Sequence, residues 1–240
     1  MIGDEPIRRV DGARFLGVWV DEGLKWAGHI EKVKTKVGRL LGVLGRVRTT
    51  IGGASVHRLY NALVLPHLQY CLLVWGDFEE GRNKVLGESL LKHQKRFMGL
   101  ILGKKGRYHS DPIFSQLCSL KISDLYRQQL RVHAWKFFRN RLPRNQESML
   151  CRVSDTHQHN TRNAKTGLSL STQDHRSIAY RVPKEWLSLP EKLREMRSLG
   201  GFKKKSKNEF VRNYGNFECS ELNCVACCGE SGERRNVEYR

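Results

Sequence analysis

The stretch FLGVWVDEGLKWAGHI, residues 15–30, changes its hydrophobic period in the middle, and that change sets the fold class. From Phe15 to Val20, Leu16, Val18 and Val20 alternate with Phe15, Gly17 and Trp19. Both sets are apolar or small, the pattern of a strand covered on both faces. Asp21-Glu22-Gly23 supplies a turn, with glycine free to take a positive φ. Upstream, Ile2 to Val10 reads as a second short strand interrupted by Pro6. From Trp26 the period becomes helical: Ile30, Val33, Val37, Leu40, Leu41, Leu44 and Val47 share one face. Lys32, Lys34, Lys36 and Arg39 are left for the other. A helix from Ala27 to Arg48 is ~33 Å long at 1.5 Å per residue. A single hairpin cannot bury an apolar face by itself, so the stretch reads as the end of a larger sheet rather than the start of a domain.

The rest of the chain is mainly helical. Gly52-Gly53 breaks the first helix, and a second carries Val56, Leu59, Tyr60, Leu63 and Val64, with a bend expected at Pro66. A third begins near Lys84, with Leu86, Leu90, Leu91, Phe97, Met98 and Ile101 apolar. Ser110-Asp111-Pro112 has the composition of a helix start, with Asp or Ser as the cap. Another helix spans Ser123 to Arg139. The fold class expected is therefore mainly α, a short N-terminal β-hairpin followed by a helical bundle and a small irregular C-terminal α region. Residues 1–25 form the hairpin, 26–142 the bundle, 143–176 a polar linker, 177–215 the C-terminal helical region, and 216–240 a disordered tail containing cysteines.

The 240 residues carry 43 Lys and Arg against 24 Asp and Glu, a net charge of +19. An excess of this size calls for an anionic partner, most commonly nucleic acid. The excess begins at Lys32, after a nearly neutral hairpin. No apolar run is long enough to span a membrane, and no secretory leader is legible in MIGDEPIRRV. Seven cysteines, an odd number, without a leader suit an intracellular compartment, the nucleus ahead of the cytoplasm.

Enzyme motifs are missing. No two aspartates are adjacent, whereas two-metal polymerases hold their ions between closely placed carboxylates. Asp21, Asp77, Asp111 and Asp124 stand in turn or cap settings. None of the nine histidines accompanies a nucleophile-elbow serine, and the glycines of VGRLLGVLGRV fall inside a helical pattern rather than a phosphate loop. Cys219, Cys224, Cys227 and Cys228 crowd the tail. The two-residue gap between Cys224 and Cys227 lets two thiolates share one zinc, but the Cys219 spacing is unusual and no histidine follows. Zinc and an exposed tail of reduced thiols both remain open. The stronger feature is cationic: Lys32, Lys34, Lys36 and Arg39 can lie along a phosphate backbone and release counterions. The run KKKSK, with Lys203, Lys204 and Lys205, offers a second contact or an import signal.

FLGVWVDEGLKWAGHI, LYNALVLPHLQYCLLVWG and LLKHQKRFMGLI, followed in order by DPIFSQL, NTR, SIAY, Trp186, the LP at 189–190 and FKKKSK, resemble the region after the palm in reverse transcriptases of LINE-type (non-LTR) retrotransposons, jockey-like ones especially. Leu187 departs from the family's usual asparagine. The resemblance implies that FLGVWVD is the primer-grip hairpin, with Phe15, Leu16 and Gly17 nearest the primer, and that the three following helices are a thumb. It implies a Cys-rich end that contacts nucleic acid. The aspartate pair, the fingers and the endonuclease would then lie upstream of Met1, on the missing part of the parent RNA-directed DNA polymerase.

The expectation is a non-catalytic C-terminal fragment that grips RNA–DNA hybrid, RNA or DNA duplex through phosphates, with no cofactor other than zinc at the tail cysteines. The alternatives are a domesticated protein-interaction module, or a relic without function.

Overall fold

A computed structural model describes residues 9–78, 81–104, 106, 108–147, 150, 168 and 177–216. It is mainly helical, with an N-terminal two-stranded antiparallel sheet, as the hydrophobic periods require. Two compact units divide the chain, Met1–Ile101 and Leu102–Arg240. The division falls inside the 26–142 stretch read as one bundle.

In the first unit, β1 (Gly12–Phe15) pairs with β2 (Val18–Asp21), Phe15 opposite Val18 and Gly12 opposite Asp21. The single strand expected over Phe15–Val20 is thus two strand ends around a two-residue turn. Leu16 (φ 45°) and Gly17 (φ 86°) both take positive φ. A two-residue hairpin needs that hand of turn to match the twist of its strands. Leu16 carries no turn signal and Gly17 fits the small positions of a strand, so alternation alone did not separate strand from turn. The strand expected over Ile2–Val10 lies almost wholly outside the described residues.

Asp21 then builds the expected second turn. Its carboxylate accepts from the backbone N–H of Lys25 and of Trp26, each at 2.8 Å, and its carbonyl from Leu24 N–H at 3.0 Å. These bonds satisfy the backbone donors that lead into α1 (Ala27–Leu59), up to Trp26 at its N-cap. Ile30, Val33, Val37, Leu44 and Val56 form its buried face. Gly52 (φ 74°) interrupts the helical backbone inside α1, at the glycine pair expected to break it. Gly53 lets the helix touch α4 (Gly81–Leu102), since a Cβ there would come within 2.2 Å of the Ile101 carbonyl oxygen. Arg48 Nε donates to the neighbouring Leu100 carbonyl at 2.8 Å.

After α1, Tyr60–Val64 form a π-helical segment that leads into α2 (Leu65–Gln69). Pro66 has no N–H and its ring crowds the carbonyl one turn earlier. A π-segment absorbs both by widening that turn. α3 (Leu72–Trp75) follows Cys71, which is left-handed at φ 50°. Tyr60 packs on Phe97 of α4 with ring centroids 5.4 Å apart, and its hydroxyl accepts from Gln94 Nε2 at 3.1 Å. Burial pushes the Tyr60 phenol up to about 12.

The second unit contains α5 (Ser110–Gln116), α6 (Ile122–Phe138), α7 (Arg144–Glu147), α8 (Ile178–Leu187), α9 (Glu191–Arg194) and α10 (Leu199–Gly215). α5 begins where expected, but neither Ser110 nor Asp111 caps it. Position N-cap is His109, without a side-chain bond, and Asp111 pairs instead with Lys121 Nζ at 2.8 Å. α6 packs against α8 and α10. Trp135, Phe138, Trp186 and Phe202 stack through the core, with Phe138 and Trp186 centroids 5.0 Å apart. Arg131 crosses the same contact, bonding Glu185 at 2.7 Å and Glu209 at 2.9 Å while its guanidinium lies 4.2 Å from the Phe210 ring centroid. Tyr214 donates to the Asp124 carboxylate. Burial raises the pKa of Asp124, against the pull of that hydrogen bond and of Arg127, Lys121 and Arg131.

Candidate nucleic-acid interface

The hairpin has little core of its own, because Val18 is the one buried residue among 12–21. It is held from outside. The Trp19 backbone N–H donates to His29 Nδ1 at 3.3 Å, and Lys32 Nζ sits 3.2 Å from the Trp19 ring centroid. A cation over an indole face gains about 0.5–2 kcal/mol. His29 stacks edge-on to buried Trp75, centroids 5.2 Å apart. At the other end, Tyr70 donates its hydroxyl to the Leu16 carbonyl at 2.5 Å, and its ring stands where a Gly17 Cβ would be 3.5 Å away.

This docking leaves the tip bare: Phe15 is 68% and Leu16 74% exposed. Phe15, Leu16 and Gly17, the residues assigned to the primer by resemblance, are therefore together at one exposed turn.

The four cations expected on one face of α1 are not equivalent. At ~100° per residue, Lys32, Lys36 and Arg39 fall in one stripe, while Lys34 is ~200° around the helix from Lys32. Lys34 is partly buried and pairs with Glu31 at 2.6 Å. The spacing of Lys32 and Lys34, two residues apart, already requires opposite sides of a helix. Arg46 continues the stripe, a residue left out of the sequence reading although the same period reaches it. From Lys32 to Arg46 the stripe is ~21 Å long. Lys36, Arg39 and Arg46 have no acidic partner among the described residues.

The N-terminal end of the stripe adjoins the hairpin and α2. Lys32 touches β2 through Trp19, and Lys36 is close enough to His67 on α2 to add to burial in lowering that imidazole's pKa. His67 lies one helical turn before Tyr70, which touches the tip. Neither His67 nor Tyr70 carries a local signal for this place, since the helix that holds His67 ends only where Tyr70 turns extended (ψ 120°).

His29 responds to pH through the same contact. Burial, then the Lys32 charge, lowers its pKa from 6.5, and its Nε2 is buried without a hydrogen-bond partner. Folding favours the neutral ring, so its contribution is complete above the unfolded pKa near 6.5 and is lost as pH falls below it. Unfolding monitored by Trp fluorescence is expected to show the hairpin loosening as pH falls below about 6.5. His29→Asn, whose side-chain oxygen can still accept from Trp19, is expected to flatten that slope. An equal slope in the variant would assign it to other histidines, of which His133 is shifted in the same direction by burial.

The remaining candidates lie elsewhere. Lys203, Lys204 and Lys205 are exposed on α10 of the second unit, where the Lys203 carbonyl accepts from Gln128 at 3.1 Å. Cys219, Cys224, Cys227 and Cys228 lie outside the described residues, as does nearly all of the 143–176 linker beyond α7. Among the described residues no group of three or more His, Cys, Asp or Glu could hold a metal ion, and no helix is long and apolar enough to cross a membrane.

Over 83 residues the chain is 34% identical to the retrovirus-related Pol polyprotein from type-1 retrotransposable element R1 2 of Nasonia vitripennis. The match covers 32% of this chain and 20% of that protein, so the chain spans about a fifth of the relative's length. The similarity supports a retrotransposon-related origin. No protein-family model matches the chain, and no solved structure matches it.

Proposed function

We propose that the chain is a C-terminal piece of a LINE-type retrotransposon reverse transcriptase that grips primer–template duplex through its phosphates. The observation that carries this reading is the stripe Lys36, Arg39 and Arg46 along α1, without acidic partners among the described residues, with Lys32 at its hairpin end against Trp19. Clustered cations without acidic partners lower the free energy of a phosphate backbone by releasing its counterions, with no need to read bases. Similarity to a Pol polyprotein supplies a polymerase-related parent for such a grip. In this reading the tip of Phe15, Leu16 and Gly17 approaches the primer terminus, and α1 with α2 and α4 is the thumb. The sequence has no adjacent aspartates, so nucleotide addition belongs to the parent polymerase. Lys203, Lys204 and Lys205 offer a second, independent phosphate contact on α10.

Fluorescence anisotropy with a labelled RNA–DNA hybrid, titrated across salt, tests the reading. Four phosphate contacts are expected to give a log–log salt slope of about −3 to −4. Sequence changes in the duplex are expected to leave affinity nearly unchanged. Salt-insensitive capture of the hybrid, or none at low salt by folded protein, would refute it. The exposed apolar residues Leu63, Val74 and Val85 would then favour a protein-interaction module.

A further inference from the structure

Tyr70 is placed by a closed chain of contacts. Its backbone N–H donates to the Pro66 carbonyl at 3.0 Å, and its own carbonyl accepts from Trp75 Nε1 at 2.8 Å. Trp75 is fully buried and lies edge-on to His29, which accepts the Trp19 backbone N–H. Trp19 and Leu16 belong to the same hairpin, so the path Leu16–Tyr70–Trp75–His29–Trp19 grips the hairpin at its turn and on β2. The geometry at Tyr70 depends on backbone breaks on both sides: the Pro66 helix ends there, Tyr70 is extended (φ −64°, ψ 120°), and Cys71 is left-handed.

Ordinary packing does not account for this arrangement. Tyr70 is 50% exposed, and a hydrogen bond at that exposure contributes little to stability because water competes for both partners. What the hydroxyl does constrain is conformation. Leu16 is a branched, non-glycine residue at φ 45°, a region that side chains with a Cβ enter only with support. The bond to its carbonyl fixes the plane of the Leu16–Gly17 peptide, and the Tyr70 ring limits Gly17 from the side.

We infer that Tyr70 is a positioning residue that sets the hairpin tip for contact with a duplex terminus, acting through the Leu16 carbonyl rather than on nucleic acid itself. The inference rests on the duplex-grip reading and adds to it the group that aims the tip. It separates two kinds of contact: the α1 stripe holds any duplex along its length, while the tip, aimed by Tyr70, distinguishes a duplex that ends from one that does not.

The test compares two labelled RNA–DNA hybrids of equal length, one with a recessed 3′ end and one closed at both ends by loops. Wild-type protein is expected to prefer the recessed end. Tyr70→Phe keeps the ring against Gly17 and removes only the hydroxyl. Its affinity for the recessed hybrid is expected to fall about 3- to 10-fold, to the level of the closed one. Affinity for the closed hybrid and the thermal midpoint are expected to stay within experimental scatter, the midpoint within about 2 °C. Tyr70→Leu is expected to show the same loss with added hydrogen exchange at Gly17 and Val18. An end preference that survives Tyr70→Phe, or a loss equal on both hybrids, overturns the inference while the duplex grip stands. Wild-type protein that binds both hybrids equally also overturns it. Wild-type protein that binds neither overturns the duplex grip and this inference together.

Discussion

Reversing three charges of the α1 stripe, Lys36→Glu with Arg39→Glu and Arg46→Glu, is expected to weaken binding to an RNA–DNA hybrid by on the order of 100-fold or more at low salt. The argument is local. These three side chains share a helix face, and none has an acidic partner among the described residues, so each is available to a phosphate. Removing three contacts should also flatten the log–log salt slope by about 0.9 for each. Lys32 is left in place because its ammonium rests on Trp19, and changing it would disturb the hairpin as well as the charge. The three substitutions are on the helix surface, where changes of fold stability are usually within about 0.5 kcal/mol each. The control is Lys34→Glu, which alters the same helix but lies on its far flank beside Glu31. It is expected to change affinity several-fold at most, through net charge alone. If one reversal at Lys34 weakened binding as much as one at Arg39, the overall field and not the stripe would hold the duplex. The stripe reading would then fail.

The contrast between Lys34 and Arg46 shows how far the interface was legible beforehand. Composition and period gave a basic face on a long helix, because both depend only on residue type and spacing. Counting four neighbouring cations as one face placed Lys34 wrongly, and stopping at Arg39 left Arg46 out. A strict angular reading of the same sequence corrects both. The hairpin tip is a different case. Leu16-Gly17 satisfies a two-sided strand pattern as well as a turn, and what selects the turn is partly Tyr70, more than fifty residues away in sequence. Local pattern carries no information about such a contact. The same holds for Tyr70 itself, an ordinary aromatic at the end of a helical run, where the chain turns extended before left-handed Cys71.

Fold class was legible for a related reason. Long amphipathic periods with glycine breaks specify helices almost independently of tertiary context, and Gly52 does interrupt α1. Which helices pack together was less accessible. α6 carries apolar residues in helical spacing, as the helices before it do, yet it buries them against α8 and α10 across the polar stretch that follows it. Two features favour that choice. Trp135 finds Phe202 for stacking and Phe138 finds Trp186, and Arg131 finds two carboxylates. A buried arginine is costly without such partners, so Arg131 was the residue in α6 with most to say about its neighbours. Nothing local singles it out, because its partners are over fifty residues downstream.

Replacing Arg131 by Met is accordingly expected to destabilise the second unit strongly. Arg131 is 3% exposed. Its guanidinium bonds Glu185 Oε1 at 2.7 Å, Glu209 Oε2 at 2.9 Å and Ser206 Oγ at 3.3 Å, tying α6 to both α8 and α10. Met keeps the length and the packing on Phe210 but strands the buried Glu185 charge. Removing one partner of a buried pair costs about 3–5 kcal/mol. The lower end applies here, because Arg127 Nε still reaches Glu185 Oε2 at 3.1 Å and Glu209 is part-exposed and can turn to water. About 3 kcal/mol corresponds to a fall in thermal midpoint of roughly 6–12 °C for a chain of this size. A second variant separates charge from packing. Arg131→Met combined with Glu185→Leu removes both buried charges, and is expected to recover most of the loss, since a well-packed apolar pair can match a buried ion pair. Hydrogen exchange should place the single variant's loss in α6, α8 and α10 and leave α1 and the hairpin protected. A midpoint unchanged by Arg131→Met would mean that the stack of Trp135, Phe138, Trp186 and Phe202 alone holds α6 to the C-terminal helices. A double variant no more stable than the single one would instead mean that shape, not stranded charge, sets the cost at Arg131.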